Sequence, residues 1–115
     1  MCKAIVKVTA KFQKDVKKLL AISELEELYD YLSENPNAGL IIKLTGGVRK
    51  LRWSPKSSHR GKSGSLRILY HYSNNILVIL LGAFSKSDME NISQAERNAL
   101  RKVIPKLIEQ FKEEL

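Results

Sequence analysis

The sequence predicts a small α+β domain, in which a mostly antiparallel sheet carries helices packed on one face. A chain of 115 residues suits one compact domain, so we expect a single domain over residues 1–115. Apolar residues recur at helical spacing near both ends of the chain, whereas in the middle they alternate with the period of a strand. The predicted order is therefore strand-helix-helix-strand-strand-strand-helix.

The N-terminal third is predicted to form a strand and two helices. The strand is Ala4 to Thr9, whose β-branched residues favour extended backbone. Thr9 can cap the helix that follows, and Ser23 with Glu26 forms a capping box that starts a second helix. Asn35-Pro36 ends the second helix, because a residue before proline avoids helical angles. The apolar faces are Phe12, Val16, Leu19 and Leu20 in the first helix and Leu25, Leu28, Tyr29 and Leu32 in the second.

The middle of the chain is predicted to form the sheet. Leu40 to Leu44 is a short strand candidate, and Val48 to Trp53 and Leu66 to Tyr72 alternate their side chains between two faces. Ile76 to Phe84 is apolar on both faces, which is typical of a central strand that is covered on both sides. A further capping box, Ser93 with Glu96, then begins one long final helix.

Charge is distributed unevenly along the chain. The net charge is +8, yet residues 1–34 hold six basic and six acidic side chains and residues 88–115 sum to −1. Residues 35–87 contain no acidic residue and nine basic ones, which are Lys43, Arg49, Lys50, Arg52, Lys56, Arg60, Lys62, Arg67 and Lys86. A field of one sign attracts polyanions, so nucleic acid is the favoured partner. An anionic membrane surface or an acidic protein is the alternative.

Several function classes are excluded by composition. The longest apolar run, Ile76 to Phe84, is too short to span a bilayer. Cys2 is the only cysteine and cannot form an internal disulfide, which agrees with a cytoplasmic protein. No Cys/His pair has metal-binding spacing, and His59 and His71 have no carboxylate nearby in sequence, so we expect no metal. Arg60 to Gly64 resembles a phosphate loop but precedes a strand instead of a helix.

The candidate site is a set of bases on the predicted strands. Lys50 and Arg52 project from one face of a strand about 7 Å apart. Arg67 comes from the next strand and Lys86 from the end of the one after, so pairing in sequence order would gather all four on one surface. RNA cleavage suits such a set, because arginine stabilises a charged phosphate and a lysine of lowered pKa can take the proton of the 2′-hydroxyl. On this chemistry alone, catalysis and simple phosphate binding remain equal alternatives.

Four motifs stand out in the middle of the chain: Asn35-Pro36, TGGVRKLR at 45–52, RGKSGSLRILY at 60–70 and GAFSKSD at 82–88. Together they resemble the HigB-like branch of the RelE/ParE toxin superfamily, over roughly residues 35–100. The resemblance implies a RelE-like fold and the toxin of a type II toxin–antitoxin system, which cuts mRNA in the ribosomal A site without a metal or cofactor. It implies as partners mRNA on the ribosome, the 16S ribosomal RNA backbone and a HigA-like helix-turn-helix antitoxin, which alone would bind operator DNA.

The resemblance also suggests roles for single residues. Lys50 would be the general base, Arg52 would assist it and orient the phosphate, Arg67 would hold the scissile phosphate, and Lys86 would help the leaving group. RNA and ribosome contacts would come from Arg49, Lys56, Arg60 and Lys62. The C-terminal aromatic residue of some relatives has no clear match here, so base stacking falls to Phe84, Tyr70 or Tyr72, or to the ribosome. For both tyrosines, core packing with an exposed hydroxyl is the alternative.

Two other functions compete with mRNA cleavage. One is a ParE-like inhibitor of DNA gyrase, which would share the fold without the nuclease chemistry. The other is a non-catalytic RNA-binding module, which would show steep salt dependence of binding and no cleaved product. Bases at strand centres favour the nuclease over the gyrase inhibitor, because a protein–protein inhibitor does not need them there.

Overall fold

The computed structural model describes residues 3–54, 66–73, 75–85 and 92–114. Within these ranges the elements are β1 (Ile5–Val8), α1 (Ala10–Val16), α2 (Ile22–Glu34), β2 (Leu40–Ile41), β3 (Val48–Trp53), β4 (Leu66–Ser73), β5 (Leu77–Ser85) and α3 (Gln94–Lys112). The predicted α+β class and order are confirmed, and the strand candidate at Leu40 to Leu44 is shorter than expected. None of these helices is long and apolar enough to cross a membrane.

The five strands form one mixed sheet in the order β1-β5-β4-β3-β2. Strands β2 to β5 pair in sequence order, and each pair is antiparallel. Pairing in this order is the condition under which the predicted basic residues would gather on one surface. Strand β1 lies parallel to β5 on the other side of it. Strand β5 is therefore an interior strand of the sheet, next to the edge strand β1. Its seven residues from Leu77 to Ala83 are all buried, which confirms that it is covered on both faces.

The sheet has a hydrophobic core on each face. Helices α1 and α2 cover one face, which we call the α1/α2 face, where Phe12, Leu28 and Leu32 pack with Leu51, Ile68 and Tyr70. Helix α3 covers the opposite face, the α3 face, where Ile104 and Phe111 pack with Val48, Leu69 and Ile79. The expectation that the helices pack on one face is therefore wrong for α3. The reason is that β5 carries apolar side chains on both faces, and both must be removed from water.

The helix starts follow the predicted caps in two cases out of three. The Phe12 N–H donates to Thr9 Oγ1 at 3.1 Å. At the start of α3, the Glu96 N–H donates to Ser93 Oγ at 3.2 Å. The capping box predicted at Ser23 is wrong, because α2 begins at Ile22 and the Ala21 N–H donates to the Glu24 carboxylate at 2.8 Å. The acidic side chain alone caps this helix, without a hydroxyl partner.

A β-bulge near the end of β5 directs the residues that matter for the site. In β4, Leu69 pairs with Gly82 and Tyr70 pairs with Leu80, so Leu81 is the extra residue. Leu81 packs in the core of the α3 face. After the bulge, alternation returns Ala83 to the α1/α2 face and Phe84 to the α3 face. The end of β5 therefore contributes Phe84 to the face that α3 covers.

Candidate functional site

Strand alternation assigns three of the predicted catalytic residues to the α3 face. In β3 and β4, Leu51, Trp53, Leu66 and Ile68 all belong to the core of the α1/α2 face. The side chains between them, Lys50, Arg52 and Arg67, therefore project from the other face. We call these three residues the basic cluster. The fourth predicted catalytic residue, Lys86, lies outside the described residues.

The sheet register arranges the basic cluster in two rows that run across the strands. In one row, Arg52 is paired with Arg67, and Arg67 is paired with Phe84. In the other row, Leu40, Lys50, Leu69 and Gly82 follow one another across β2, β3, β4 and β5. The half-buried Lys50 thus has an aliphatic residue on each side, and Leu40 is 80% exposed. The two rows give one surface with an arginine pair, a lysine and an aromatic ring.

The basic cluster forms no ion pairs within the described part of the protein. Lys50, Arg52 and Arg67 form no ion pair with any other described residue. The Nη1 atom of Arg67 is buried and has no hydrogen-bond partner among the described residues. A buried polar group of this kind costs free energy, and two like charges directly opposite in a sheet also destabilise it. An anion bound between the guanidinium groups would offset both costs.

Arg52 and Arg67 differ in how firmly the fold holds them. Arg67 is half-buried in β4, between two strands. Arg52 is exposed, and it also lines a groove with Glu27, Asp30 and Glu34 of α2 at the outer edge of the sheet. Strand β2 pairs with β3 at Arg49 and Lys50 but not at Arg52. The structure therefore presents Arg67 as the fixed member of the pair and Arg52 as the freer one.

Tyr70 belongs to the core and not to the candidate RNA surface. Its side chain is 0% exposed. The hydroxyl accepts a hydrogen bond from the Gly39 N–H and donates one to the Pro36 carbonyl oxygen, each at 2.8 Å. Burial raises the pKa of Tyr70, while the Gly39 hydrogen bond and the Arg49 charge lower it. The RNA contact predicted for Tyr70 is wrong, and the alternative of core packing is confirmed, with the hydroxyl bonded internally and not exposed.

Arg49 is separated from the basic cluster by the sheet. Alternation places it on the α1/α2 face, where its Nη1 donates to the Gly39 carbonyl at 2.8 Å and to the Asn37 carbonyl at 3.3 Å. These bonds hold the turn that leads into β2. The other predicted RNA contacts, Lys56, Arg60 and Lys62, lie outside the described residues. Of the stacking candidates, Tyr72 packs against the α1/α2 core, and Phe84 remains half-exposed on the α3 face.

The described residues offer no grouping suited to a metal ion. No three His, Cys, Asp or Glu side chains in these ranges come together in a way that could hold one. His71 lies on the α3 face opposite Val48, and its Nδ1 is 3.0 Å from the Gly47 carbonyl oxygen. Gly47 has a positive φ of 100°, and an added Cβ would lie 3.0 Å from the His71 ring. The imidazole therefore packs against the turn before β3.

Sequence reasoning missed two residues of α1 that reach the end of the Lys50 row. Asp15 Oδ2 accepts hydrogen bonds from the Ala83 N–H at 3.1 Å and from Lys11 Nζ at 2.7 Å. An added Cβ on Gly82 would lie 3.1 Å from Asp15 Oδ2 and 3.4 Å from Lys11 Nζ. The available signal was a glycine inside a strand of bulky residues, which often marks a close approach by another element.

One comparison with known proteins bears on this arrangement. A protein-family model described as "RelE toxin of RelE / RelB toxin-antitoxin system" matches residues 5–115. The match includes every strand and helix described above, from β1 to α3. It therefore covers the basic cluster together with the elements that position it.

Proposed function

Because the chain belongs to the RelE toxin family of toxin–antitoxin systems, we propose that it is a metal-independent endoribonuclease that cleaves mRNA in the ribosomal A site. The proposal extends to the HigB-like branch, on the motifs at residues 45–52 and 60–70. It places the reaction at the basic cluster on the α3 face. The result would be arrest of translation until an antitoxin is bound.

The observation that carries this proposal is the opposed pair Arg52 and Arg67, together with the buried Nη1 of Arg67, which has no hydrogen-bond partner in the described part of the chain. Like charges on directly opposite strand residues repel each other, and an anion between them offsets the repulsion. A phosphate accepts hydrogen bonds from both forks. The phosphorane transition state carries more negative charge than the phosphodiester, so the pair stabilises the transition state more than the ground state.

The cluster supports a cleavage reaction with a balanced set of proton transfers. Lys50 takes the proton of the 2′-hydroxyl, whose oxygen attacks the adjacent phosphorus. Arg67 holds the non-bridging oxygens, with Arg52 assisting, while the bond from phosphorus to the 5′-oxygen breaks. A proton from Lys86 completes the leaving 5′-hydroxyl, and the other product ends in a 2′,3′-cyclic phosphate. Phe84 offers its ring to a neighbouring base.

The proposal extends to the partners of the chain. Lys56, Arg60 and Lys62 would contact RNA and the 16S ribosomal RNA backbone of the ribosome. A HigA-like helix-turn-helix antitoxin would neutralise the toxin and alone contact operator DNA, and both proteins would act in the cytoplasm. An acidic antitoxin segment suits the cluster because Lys50, Arg52 and Arg67 form no ion pair with other described residues.

The test is cleavage of a defined mRNA on programmed ribosomes, read by primer extension and by the chemistry of the new 5′-ends. We expect the wild-type protein to leave 5′-hydroxyl ends and Arg67→Ala to lower the cleavage rate by about 10²-fold or more. The matched control is Arg101→Ala, which removes an exposed arginine whose guanidinium bonds Asn98 on α3. Equal cleavage by wild type and Arg67→Ala would refute the assigned site.

The same preparation separates the competing functions. A ParE-like inhibitor would block DNA supercoiling by gyrase and leave mRNA intact. A non-catalytic RNA-binding module would bind RNA with strong salt dependence and yield no cleaved product. Either result would overturn the proposed reaction, whatever the behaviour of the variants.

A further inference from the structure

Helices α1 and α3 line a groove that runs beside the end of β5. Strand β1 pairs with β5 from Leu77 to Leu80, and beyond that point α1 lies along the edge of β5, with Asp15 bonded to the Ala83 N–H. The groove has a volume of about 640 Å³, which is within the range of small-ligand sites. Its lining is mostly apolar and includes Leu19, Leu69, Leu81, Phe84, Leu100 and Val103. We call it the α1–α3 groove.

We propose that the α1–α3 groove is a nucleobase subsite, which receives one unpaired base of the RNA next to the scissile phosphate. The inference rests on the proposed function in one respect, the position of that phosphate at Arg67. It adds a binding site formed by α1 and α3, neither of which contributes to the basic cluster.

The groove is continuous with the basic cluster. Phe84 lines the groove and is also the cross-strand partner of Arg67. Leu69 lines it too and is the cross-strand partner of Lys50. Neighbouring strands lie about 4.8 Å apart, so the groove begins about one strand spacing from Arg67. The nucleotide that adjoins a phosphate held by Arg67 can therefore place its base in the groove.

The lining suits a nucleobase and its phosphate better than it suits a purely apolar side chain. An aromatic ring and aliphatic walls match the faces of an unstacked base. The rim adds two lysines, Lys11 and Lys18, and two carboxylates, Asp15 and Glu96. Carboxylates can accept hydrogen bonds from exocyclic amines of a base, and lysines attract the neighbouring phosphate. Lys11 is bonded to Asp15 and Glu96 to Ser93, so a ligand would use the remaining oxygen and N–H groups of these side chains.

The first arm of the test fills the groove without changing charge. Ala99 is exposed and lines the groove, whereas Ala95 is exposed on the same helix and does not line it. The probe is a fluorescein-labelled single-stranded RNA that carries 2′-O-methyl groups and so cannot be cleaved. We expect Ala99→Trp to weaken binding of this RNA about tenfold, in line with the loss of one stacked base. Ala95→Trp should stay within about twofold of wild type.

The second arm changes the RNA, and its first measurement uses only the wild-type protein. One nucleotide at a time is replaced by an abasic residue, and binding to wild type is measured. We expect an abasic residue at one position to weaken binding to wild type about tenfold. Ala99→Trp should bind that abasic RNA no more weakly than wild type does. This lack of additivity is the sign that base and groove interact directly.

The outcomes distinguish this subsite from the proposed cleavage. Unchanged RNA affinity in Ala99→Trp, or the absence of any coupled abasic position, would overturn the subsite. If Ala99→Trp bound the antitoxin more weakly and RNA with unchanged affinity, the groove would be a protein-docking site and the subsite would be overturned. A wild-type protein that does not bind RNA at low salt would also overturn the subsite. Coupling between base and groove without any cleavage by wild type would instead support the subsite and refute the proposed function alone.

Discussion

Arg67 in β4 and Phe84 in β5 are paired directly across two antiparallel strands, so a guanidinium group and an aromatic ring lie side by side on the α3 face. The ring is half-buried against the core under α3, which fixes its position. A base stacked on Phe84 would therefore have a defined distance from a phosphate held by Arg67. The pair connects the proposed reaction at the basic cluster with the α1–α3 groove, because Phe84 belongs to both surfaces.

The first prediction concerns the ring of Phe84. Replacing Phe84 with Leu removes the aromatic face and nearly preserves apolar volume, so we expect kcat/KM for RNA cleavage to fall about tenfold. Phe84→Tyr keeps an aromatic face and should stay close to wild type. Single-turnover cleavage on programmed ribosomes measures both variants, and urea unfolding confirms that each is folded. A Leu variant as active as wild type would contradict a stacking role.

The second prediction concerns the repulsion between Arg52 and Arg67. Arg52→Gln removes one of two like charges that are directly opposite, so we expect the free energy of unfolding to rise by about 0.2–1 kcal/mol. Cleavage should fall at the same time, because the phosphate loses one of its two cations. Urea unfolding at low salt measures the first effect.

The matched control for Arg52→Gln is Arg101→Gln on α3, where the guanidinium bonds Asn98 instead of opposing another arginine. It should give no gain in stability. Added inorganic phosphate should stabilise the wild-type protein more than Arg52→Gln, since the anion has two guanidinium groups to bridge only in the former. A variant that is less stable than wild type at low salt would show that the pair is held by attraction to other groups.

The third prediction concerns the buried hydroxyl of Tyr70. Tyr70→Phe leaves the Gly39 N–H and the Pro36 carbonyl without their partner, so we expect the free energy of unfolding at neutral pH to fall by about 1–3 kcal/mol. Burial raises the pKa of Tyr70 above its ordinary value of 10.0. The unfolded chain therefore loses this proton at lower pH than the folded protein does, and the stability it contributes below pH 10.0 is lost as pH rises through the folded-state pKa.

The measurement is urea unfolding between neutral pH and alkaline pH. Tyr70→Phe should lose less stability over the alkaline range than wild type does. Some loss should remain, because burial also raises the pKa of Tyr29. The comparison variant is Tyr31→Phe, which alters an exposed tyrosine of α2 and keeps the Tyr70 hydroxyl bonded. It should lose stability at alkaline pH much as wild type does, apart from the small part that the Tyr31 charge adds to the raised pKa of Tyr70. A Tyr70→Phe curve parallel to that of wild type would contradict the assigned contribution.

The face of each residue in β3 and β4 could be predicted from the sequence, because alternation in a strand has a period of two and needs no knowledge of the fold. Lys50 and Arg52 were assigned to one face in this way, and the cores on the two faces agree with it. Alternation does not say which helix covers a face. The placement of α3 opposite α1 and α2 therefore escaped prediction, although the doubly apolar β5 required cover on both sides.

Contacts between residues far apart in sequence account for the remaining differences. Tyr70 was a stacking candidate because its pattern gave no sign of Pro36 and Gly39, which lie more than thirty positions away and bond its hydroxyl. Lys11 and Asp15 lie in the first predicted helix, and nothing local in the sequence places them beside Gly82. Pairing of this kind is set by tertiary packing, which a single sequence does not display.

The last prediction concerns Asp15, whose carboxylate closes the edge of β5. Asp15→Ala removes the acceptor for the Ala83 N–H, and a buried donor left unpaired should lower the free energy of unfolding by about 1–3 kcal/mol. Asp15→Asn keeps an acceptor oxygen and loses only the ion pair with the exposed Lys11, so its loss should stay below about 1 kcal/mol. The control is Glu34→Ala, which breaks an exposed ion pair with Lys3 and should change stability by less than about 0.5 kcal/mol. If Asp15→Asn were as destabilised as Asp15→Ala, the ion pair and not the edge hydrogen bond would be the source of the stability.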